Sequence, residues 1–248
     1  MSESTIETLR SWIGECPAGG MVFFGGAGVS TESGIPDFRS PGGLYARRTP
    51  EYPYAPEEMI SCSFFDAHPK EFFDFYFDHM VAIDAQPNRA HRKLAALERE
   101  GVCAAVVTQN IDGLHQAAGS KNVLELHGSV HRNVCMACGR ALSLEEALAA
   151  RGAAPDGVPR CACGGIVKPD VVLYEEPLDS AVLEVAVRAI AGADLLLVAG
   201  TSLAVYPAAG LLDYFRGSRL AIVNLNPTPA DRHADLCVAA KIGEVLDF

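Results

Sequence analysis

Met21-Val22-Phe23-Phe24-Gly25-Gly26-Ala27-Gly28-Val29-Ser30-Thr31 sets a short apolar run directly against a glycine loop. An uninterrupted apolar run of this length, stopped by glycine, reads as a strand buried on both faces. Four further runs have the same form. Residues 102–107 end in Thr108-Gln109-Asn110, 123–126 in His127-Gly128, 195–199 in Gly200-Thr201-Ser202, and 220–223 in Asn224. Helical patterns lie between them, over 90–100 and 180–191. Strands alternating with helices predict an α/β fold, a doubly wound parallel sheet covered on both faces. In such sheets ligands bind beyond the carboxyl ends of the strands. The five polar strand ends therefore point to one shared crevice.

Two segments break the alternation. Residues 45–87 carry Pro50, Pro53, Pro56 and Pro69, then Phe65, Phe72, Phe73, Tyr76 and Met80 near helical spacing. Residues 133–169 carry four paired cysteines and little core-forming sequence. Both read as insertions that build a smaller second module, part helical and part metal-binding. The expected main domain is then 1–44, 88–132 and 170–248, and the small domain 45–87 and 133–169.

The composition narrows the function. The chain has 248 residues, 49% hydrophobic and 21% charged, with a net charge of −11. That suits a globular chain and disfavours direct nucleic-acid binding, which relies on basic surface. An acidic surface tolerates a lysine-bearing peptide, although −11 is also simply what keeps a protein in solution. The apolar run 195–199 is too short to span a bilayer. The acidic start lacks an apolar signal core, so a cytoplasmic protein without membrane contact is expected. In that setting, closely paired cysteines suggest metal rather than disulfides.

Each candidate motif has a chemical and a structural explanation. Gly26, Ala27 and Gly28 fit a loop that approaches a pyrophosphate, but Thr31 takes the third glycine position, and Arg47 and Arg48 stand where a ribose-binding acid is usual. A tight turn explains the loop equally well. Asp37, Phe38 and Arg39 form a loop able to fold over a ligand, or a solvated turn with Phe38 in the core. Gln109, Asn110 and Asp112 supply donors and acceptors for a carboxamide or ribose, or cap a helix. His127, at a strand end beside Gly128, is placed for proton transfer, in competition with His68, His79, His91, His115, His131 and His233. Thr201, Ser202 and Asn224 suit phosphate and ribose, or ordinary turns. Cys135-x-x-Cys138 and Cys161-x-Cys163 offer four thiolates, with Gly139 and Gly164 in the turns. Four thiolates satisfy a closed, structural zinc site, with iron as the chemical alternative.

Taken together the residues resemble the sirtuins, NAD-dependent protein lysine deacylases. The resemblance rests on Gly26-Ala-Gly-Val-Ser-Thr-Glu-Ser-Gly-Ile-Pro-Asp-Phe-Arg39, Thr108-Gln-Asn-Ile-Asp112, His127-Gly128, the four cysteines, Lys168-Pro-Asp-Val-Val172 and Gly200-Thr-Ser202, in the family's order. It implies a Rossmann-like domain plus a small helical and zinc-binding domain, with NAD in the cleft between them and an acyl-lysine tunnel opposite. It also implies a short, bacterial-type deacetylase. NAD is consumed, nicotinamide leaves, and the acetyl group passes from lysine to ADP-ribose. His127 matches the general base and Asn110 the residue that orders ribose and water. Ile111 and Asp112 match the nicotinamide pocket, with Phe38 shielding the reactive carbon. Gly26, Ala27, Gly28, Thr31, Asp37, Arg39 and Gln109 match further NAD contacts. Gly200, Thr201, Ser202 and Asn224 match phosphate and ribose contacts, and Ile242 an adenine contact. Val172 and Tyr174 match peptide-side positions, which an extended substrate could join by strand addition. The zinc is structural, one ion on Cys135, Cys138, Cys161 and Cys163. The expected partner is an acetyl-lysine protein or peptide, and a monomer is compatible with this.

Relatives that remove succinyl or malonyl groups carry a Tyr-x-x-Arg pair, whereas this chain has Tyr76-Phe-Asp-His79. An uncharged acyl group is therefore expected, because a buried carboxylate would lack its cation. A nicotinamide dehydrogenase, a non-catalytic binding module and an ADP-ribosyl transferase are the competing functions. NADH formation, ligand affinity without turnover, and label left on an acceptor protein would reveal them in turn.

Overall fold

The structure, a computed structural model, describes residues 3–46 and 52–248. Arg47, Arg48 and Pro50 lie outside the described residues. Nine strands form among those described: β1 (Met21–Gly25), β2 (Cys103–Thr108), β3 (Val123–Glu125), β4 (Gly128–Cys135), β5 (Ala141–Ser143), β6 (Val167–Val171), β7 (Leu195–Ala199), β8 (Arg219–Val223) and β9 (Leu236–Val238). Six of them make one sheet in the order β3-β2-β1-β7-β8-β9, with every neighbouring pair parallel. All five expected strands lie in it. The sixth, β9, is a short edge whose three residues carry too little pattern to stand out.

The sheet is buried on both faces, which explains its unbroken apolar runs. Side chains alternate along β1. Phe23 enters one core with Leu9, Ile13, Leu94, Leu195 and Leu197. Val22 and Phe24 enter the opposite core with Ala186, Ile190, Leu196 and Val198. The first core is covered by helices Glu3–Glu15 and Arg89–Arg99, the second by Ser180–Ala191. Two of these helices begin at side-chain caps: Asn88 accepts from the N–H groups of Ala90 and His91, and Asp179 from those of Ala181 and Val182.

The glycine loop runs into a 3₁₀ helix, Ala27–Ser33, and not into the α-helix that a dinucleotide fingerprint implies. The Thr31 hydroxyl bonds locally here, donating to the Gly28 carbonyl. Gly34, at φ +84, then ends the element in the left-handed region.

The remaining three strands form an antiparallel sheet, β5-β4-β6. The aromatic segment makes two helices, Cys62–Ala67 and Pro69–His79, broken where Pro69 starts a new one. Phe64, Phe65, Phe72, Phe73 and Tyr76 pack with Val130, Leu144, Val158, Val171 and Leu173 from around the small sheet. The segment 133–169 holds more core than its sequence suggested. Helix Leu144–Ala153 lies within it, and Leu142, Leu144, Ala147, Val158 and Val167 are buried. Its capping box, Ser143 with Glu146, was a readable start signal. The expected boundaries at 132/133 and 169/170 fall inside β4 and β6. No helix among the described residues is long and apolar enough to cross a membrane.

Candidate active site

Chain order reverses around β1, which has β2 on one side and β7 on the other. The crevice rule places a ligand at such a switch point. Here glycine serves first to bring two strand-end loops together. The Gly28 N–H donates to the Gly200 carbonyl at 2.8 Å, and a Cβ on Gly28 would stand 2.7 Å from Gly200 Cα. Gly200 has φ +59, and a Cβ there would stand 2.4 Å from the Val29 nitrogen.

Gln109 ties the neighbouring strand end into this knot. Its N–H donates to the Gly25 carbonyl at 2.9 Å, and its side-chain Nε2 to Thr201 Oγ1 at 3.0 Å. Asn110 was readable as a helix cap, but its Nδ2 donates instead to Ser30 Oγ at 3.0 Å. Ser30 is 1% exposed and donates in turn to Asp112 Oδ2 at 2.6 Å. Asp112 also accepts from the Leu114 N–H at 2.9 Å, an Asx turn just ahead of the Gly113 N-cap. Ser30 is the member of the glycine loop that carries no sequence signal of its own. It orients Asn110 and Asp112 together.

His127 Nδ1 lies 2.9 Å from the Gln109 carbonyl. A carbonyl only accepts, so Nδ1 carries the proton and Nε2 is left with its lone pair. Burial pushes the imidazole below its ordinary pKa, against the raising effect of the Gln109 bond. His127 is therefore neutral near pH 7, in the tautomer a general base needs. Among the competing histidines, His91 and His115 form a buried pair with ring centres 4.7 Å apart, and burial holds both neutral. His79 lines the crevice, at the position the resemblance gives to arginine in acid-selective relatives.

The crevice encloses about 700 Å³. Every cofactor and peptide position singled out from the sequence lines it. Gly26, Ala27, Gly28 and Thr31 come from the glycine loop, and Asp37, Phe38 and Arg39 from the loop after it. Gln109, Asn110, Ile111 and Asp112 follow β2, with His127 between β3 and β4. Gly200, Thr201 and Ser202 follow β7. Asn224 follows β8, and Ile242 opens the last helix. Val172 and Tyr174 follow β6 on the side of the small sheet.

The N–H groups of Val172 and Tyr174 donate to the carbonyls of His127 and Ile60, so neither is free for a substrate backbone. Tyr76 does not line the crevice. It is 1% exposed and stacks on Phe72, so it is core. Phe38 packs against the Tyr45 ring at 5.4 Å and also lines the cavity. Tyr45 itself had no sequence signal. A loop return brings it in, with the Leu44 and Tyr45 N–H groups donating to the carbonyls of Asp37 and Phe38.

The model of the Sir2 family matches residues 26–207. The chain belongs to the Sir2 family. It is 53% identical over 243 residues to an NAD-dependent protein deacetylase of Clostridium acetobutylicum, covering 98% of this chain and 96% of the relative. It is 56% identical over 242 residues to the like-named protein of Cutibacterium acnes, covering 98% and 96%. Among solved structures it resembles a Sir2 with deacetylated p53 peptide and 3′-O-acetyl ADP ribose, with TM-score 0.88, 36% identity and 98% and 96% coverage. It also resembles a Sir2 with p53 peptide and NAD+, with TM-score 0.83, 36% identity and 97% and 95% coverage.

In this Sir2-family chain the four paired cysteines converge. Their sulfurs all lie within 4.8 Å of one another, with Cys135–Cys163 at 3.4 Å and Cys138–Cys161 at 3.9 Å. Tetrahedral zinc with bonds of about 2.3 Å requires sulfurs about 3.8 Å apart, so the cluster fits that ion, C-x-C spacing included. Gly139 and Gly164 have φ of +72 and +88, the left-handed turns that such a cradle needs. Four thiolates close the coordination shell, so the ion supplies folding energy and no catalytic position. Stripping it with a chelator, or Cys161→Ala, is expected to lower the melting temperature by 10 °C or more, on the order of several kcal/mol. Metal analysis should show one zinc per wild-type chain and none in the variant.

Proposed function

We propose that this chain is an NAD-dependent protein lysine deacetylase in which His127 is the general base. NAD is the co-substrate: nicotinamide is released and the acetyl group passes from lysine to ADP-ribose. The observation that carries the assignment of the base is the Nδ1 bond to Gln109, which aims an unprotonated Nε2 at the crevice. Nε2 takes a proton from a ribose hydroxyl. Asn110 and Asp112, locked through Ser30, hold ribose and nicotinamide. Thr201, Ser202 and Asn224 hold phosphate and the second ribose, and Ile242 packs on adenine. The large sheet supplies the cofactor side, and the segment after β6 the peptide side. The division into a Rossmann-like domain and a small domain follows from that reading. A cytoplasmic site of action belongs to it as well, and a secreted pool on fractionation would oppose it.

Mass spectrometry of an acetyl-lysine peptide tests the activity. Loss of one acetyl group only when NAD is present, with O-acetyl-ADP-ribose formed and no NADH absorbance, is the expected result. A succinyl-lysine peptide run alongside should react more slowly, because His79 replaces the cation that a carboxylate would need. Faster succinyl removal would refute the acyl assignment.

The pH profile tests the base. Since burial lowers the His127 pKa, the neutral form persists below the ordinary value of 6.5. The acid limb of kcat/KM, which reports the free enzyme, should therefore lie below pH 6.5. A limb centred above that value would contradict a neutral, buried base.

A further inference from the structure

We propose that the Tyr174 hydroxyl is a positioning group that couples the two ligands, so that acylated peptide and dinucleotide each tighten the other's binding. The proposal rests on the reading that Arg39 contacts the dinucleotide and Tyr174 faces the peptide. Arg39 donates to the Tyr174 hydroxyl at 3.1 Å. That hydroxyl also lies 2.9 Å from the hydroxyl of Tyr45, and the Arg39 guanidinium sits over the Tyr45 ring, 5.3 Å from its centre. One phenol therefore bridges the cofactor loop and the segment after β6, across the wall of a single cavity.

The two ends of this bridge differ in rigidity. The Tyr174 backbone is anchored on both sides, its N–H to the Ile60 carbonyl and its carbonyl to the Cys62 N–H. The next residue, Glu175, has φ +75, and its carboxylate accepts from the Ser63 N–H at 2.8 Å and the Ser63 hydroxyl at 3.0 Å. Glu176 accepts from the Leu173 N–H at 2.8 Å and pairs with Lys168 at 3.0 Å. Tyr174 is thus a fixed post. Arg39 is a long side chain on a loop, with five N–H donors that would otherwise sample many orientations. Tyr174 is 36% exposed, so water competes for its hydroxyl. A peptide lying against Tyr174 removes that water, strengthens the charged hydrogen bond and fixes the guanidinium for the dinucleotide. Linkage requires the reverse effect to be equal.

The test uses ADP-ribose, which binds without reacting, titrated by calorimetry into the full chain with and without an acetyl-lysine peptide. Wild type should bind ADP-ribose about five- to tenfold more tightly when peptide is present, an ordinary coupling strength. In Tyr174→Phe, which removes only the hydroxyl, that ratio should fall to within about twofold of one. Tyr45→Phe keeps the ring beneath the guanidinium and should give an intermediate ratio. A merely structural role would weaken both affinities and leave the ratio alone. A wild-type ratio of one, or an unchanged ratio in Tyr174→Phe, overturns the coupling while leaving the dinucleotide site intact. Failure of wild type to bind ADP-ribose at all overturns the dinucleotide reading and this proposal with it.

Discussion

His127→Ala should lower kcat/KM for acetyl-lysine turnover by about 10²- to 10⁴-fold, the usual contribution of a positioned general base. The imidazole has two jobs at two nitrogens. Nδ1 is committed to the Gln109 carbonyl, and the other nitrogen meets the substrate. Alanine removes both, so the variant should also lose about 1–3 kcal/mol of stability from the unpaired carbonyl. The two losses separate experimentally. The melting temperature reports the carbonyl and is expected to fall by only a few degrees. The rate reports the base. If His127 is the base, the acid limb of the pH profile disappears in the variant, and added imidazole restores part of the rate. ADP-ribose should still bind, because Gln109, Thr201 and the Asn110–Ser30–Asp112 network keep their mutual bonds. A variant that retains the wild-type rate and its acid limb would remove His127 from the mechanism.

The large sheet and its crevice were legible because parallel strands buried on both faces leave unbroken apolar runs, and because function gathers where those runs stop. Gln109, His127 and Thr201 could be placed at one edge from chain position alone. The partners that give them meaning could not. Asn110 and Asp112 both carry side chains suited to capping, and nothing local says that both meet Ser30 on a different strand end. Tyr45 enters the cavity through a loop return, and Tyr174 reaches Arg39 across two insertions. Such contacts have no sequence period. The small sheet was hidden for another reason. β4 reads Gly-Ser-Val-His-Arg-Asn-Val-Cys and mixes buried with exposed positions, so it lacks an apolar run. Its neighbour β5 has only three residues. The cysteines drew attention to a metal and away from the capped helix and apolar residues that pack beside it.

Gly128→Ala should be the most disruptive of the glycine-to-alanine changes, because its Cβ would make the closest approach of any, and the cause was invisible in the dipeptide His127-Gly128. Gly128 opens β4 opposite Val171 of β6 and has φ +76. A Cβ there would stand 1.9 Å from the Asp170 carbonyl oxygen and 3.2 Å from Val171 Cα. Both are backbone atoms, so no side chain can swing aside. The strands must separate by roughly 1 Å, beyond what a packed pairing absorbs. The left-handed backbone adds about 1 kcal/mol of its own. Together these should cost about 3–5 kcal/mol and lower the melting temperature by roughly 10 °C or more. The damage extends to chemistry, because the neighbouring His127 carbonyl accepts from the Val172 N–H at 3.0 Å, and that bond lies beside the strained pair. A shift near 1 Å in the base can cost on the order of 10²-fold in rate. Gly101→Ala separates the two contributions. Gly101 has φ +77 and nothing within 4 Å of a Cβ. It should show only the small backbone penalty, with turnover intact. Scanning calorimetry, together with kcat/KM measured below the lower melting point, decides the matter. If Gly128→Ala melts and turns over like Gly101→Ala, the close approach of β4 to β6 does not hold the base in place.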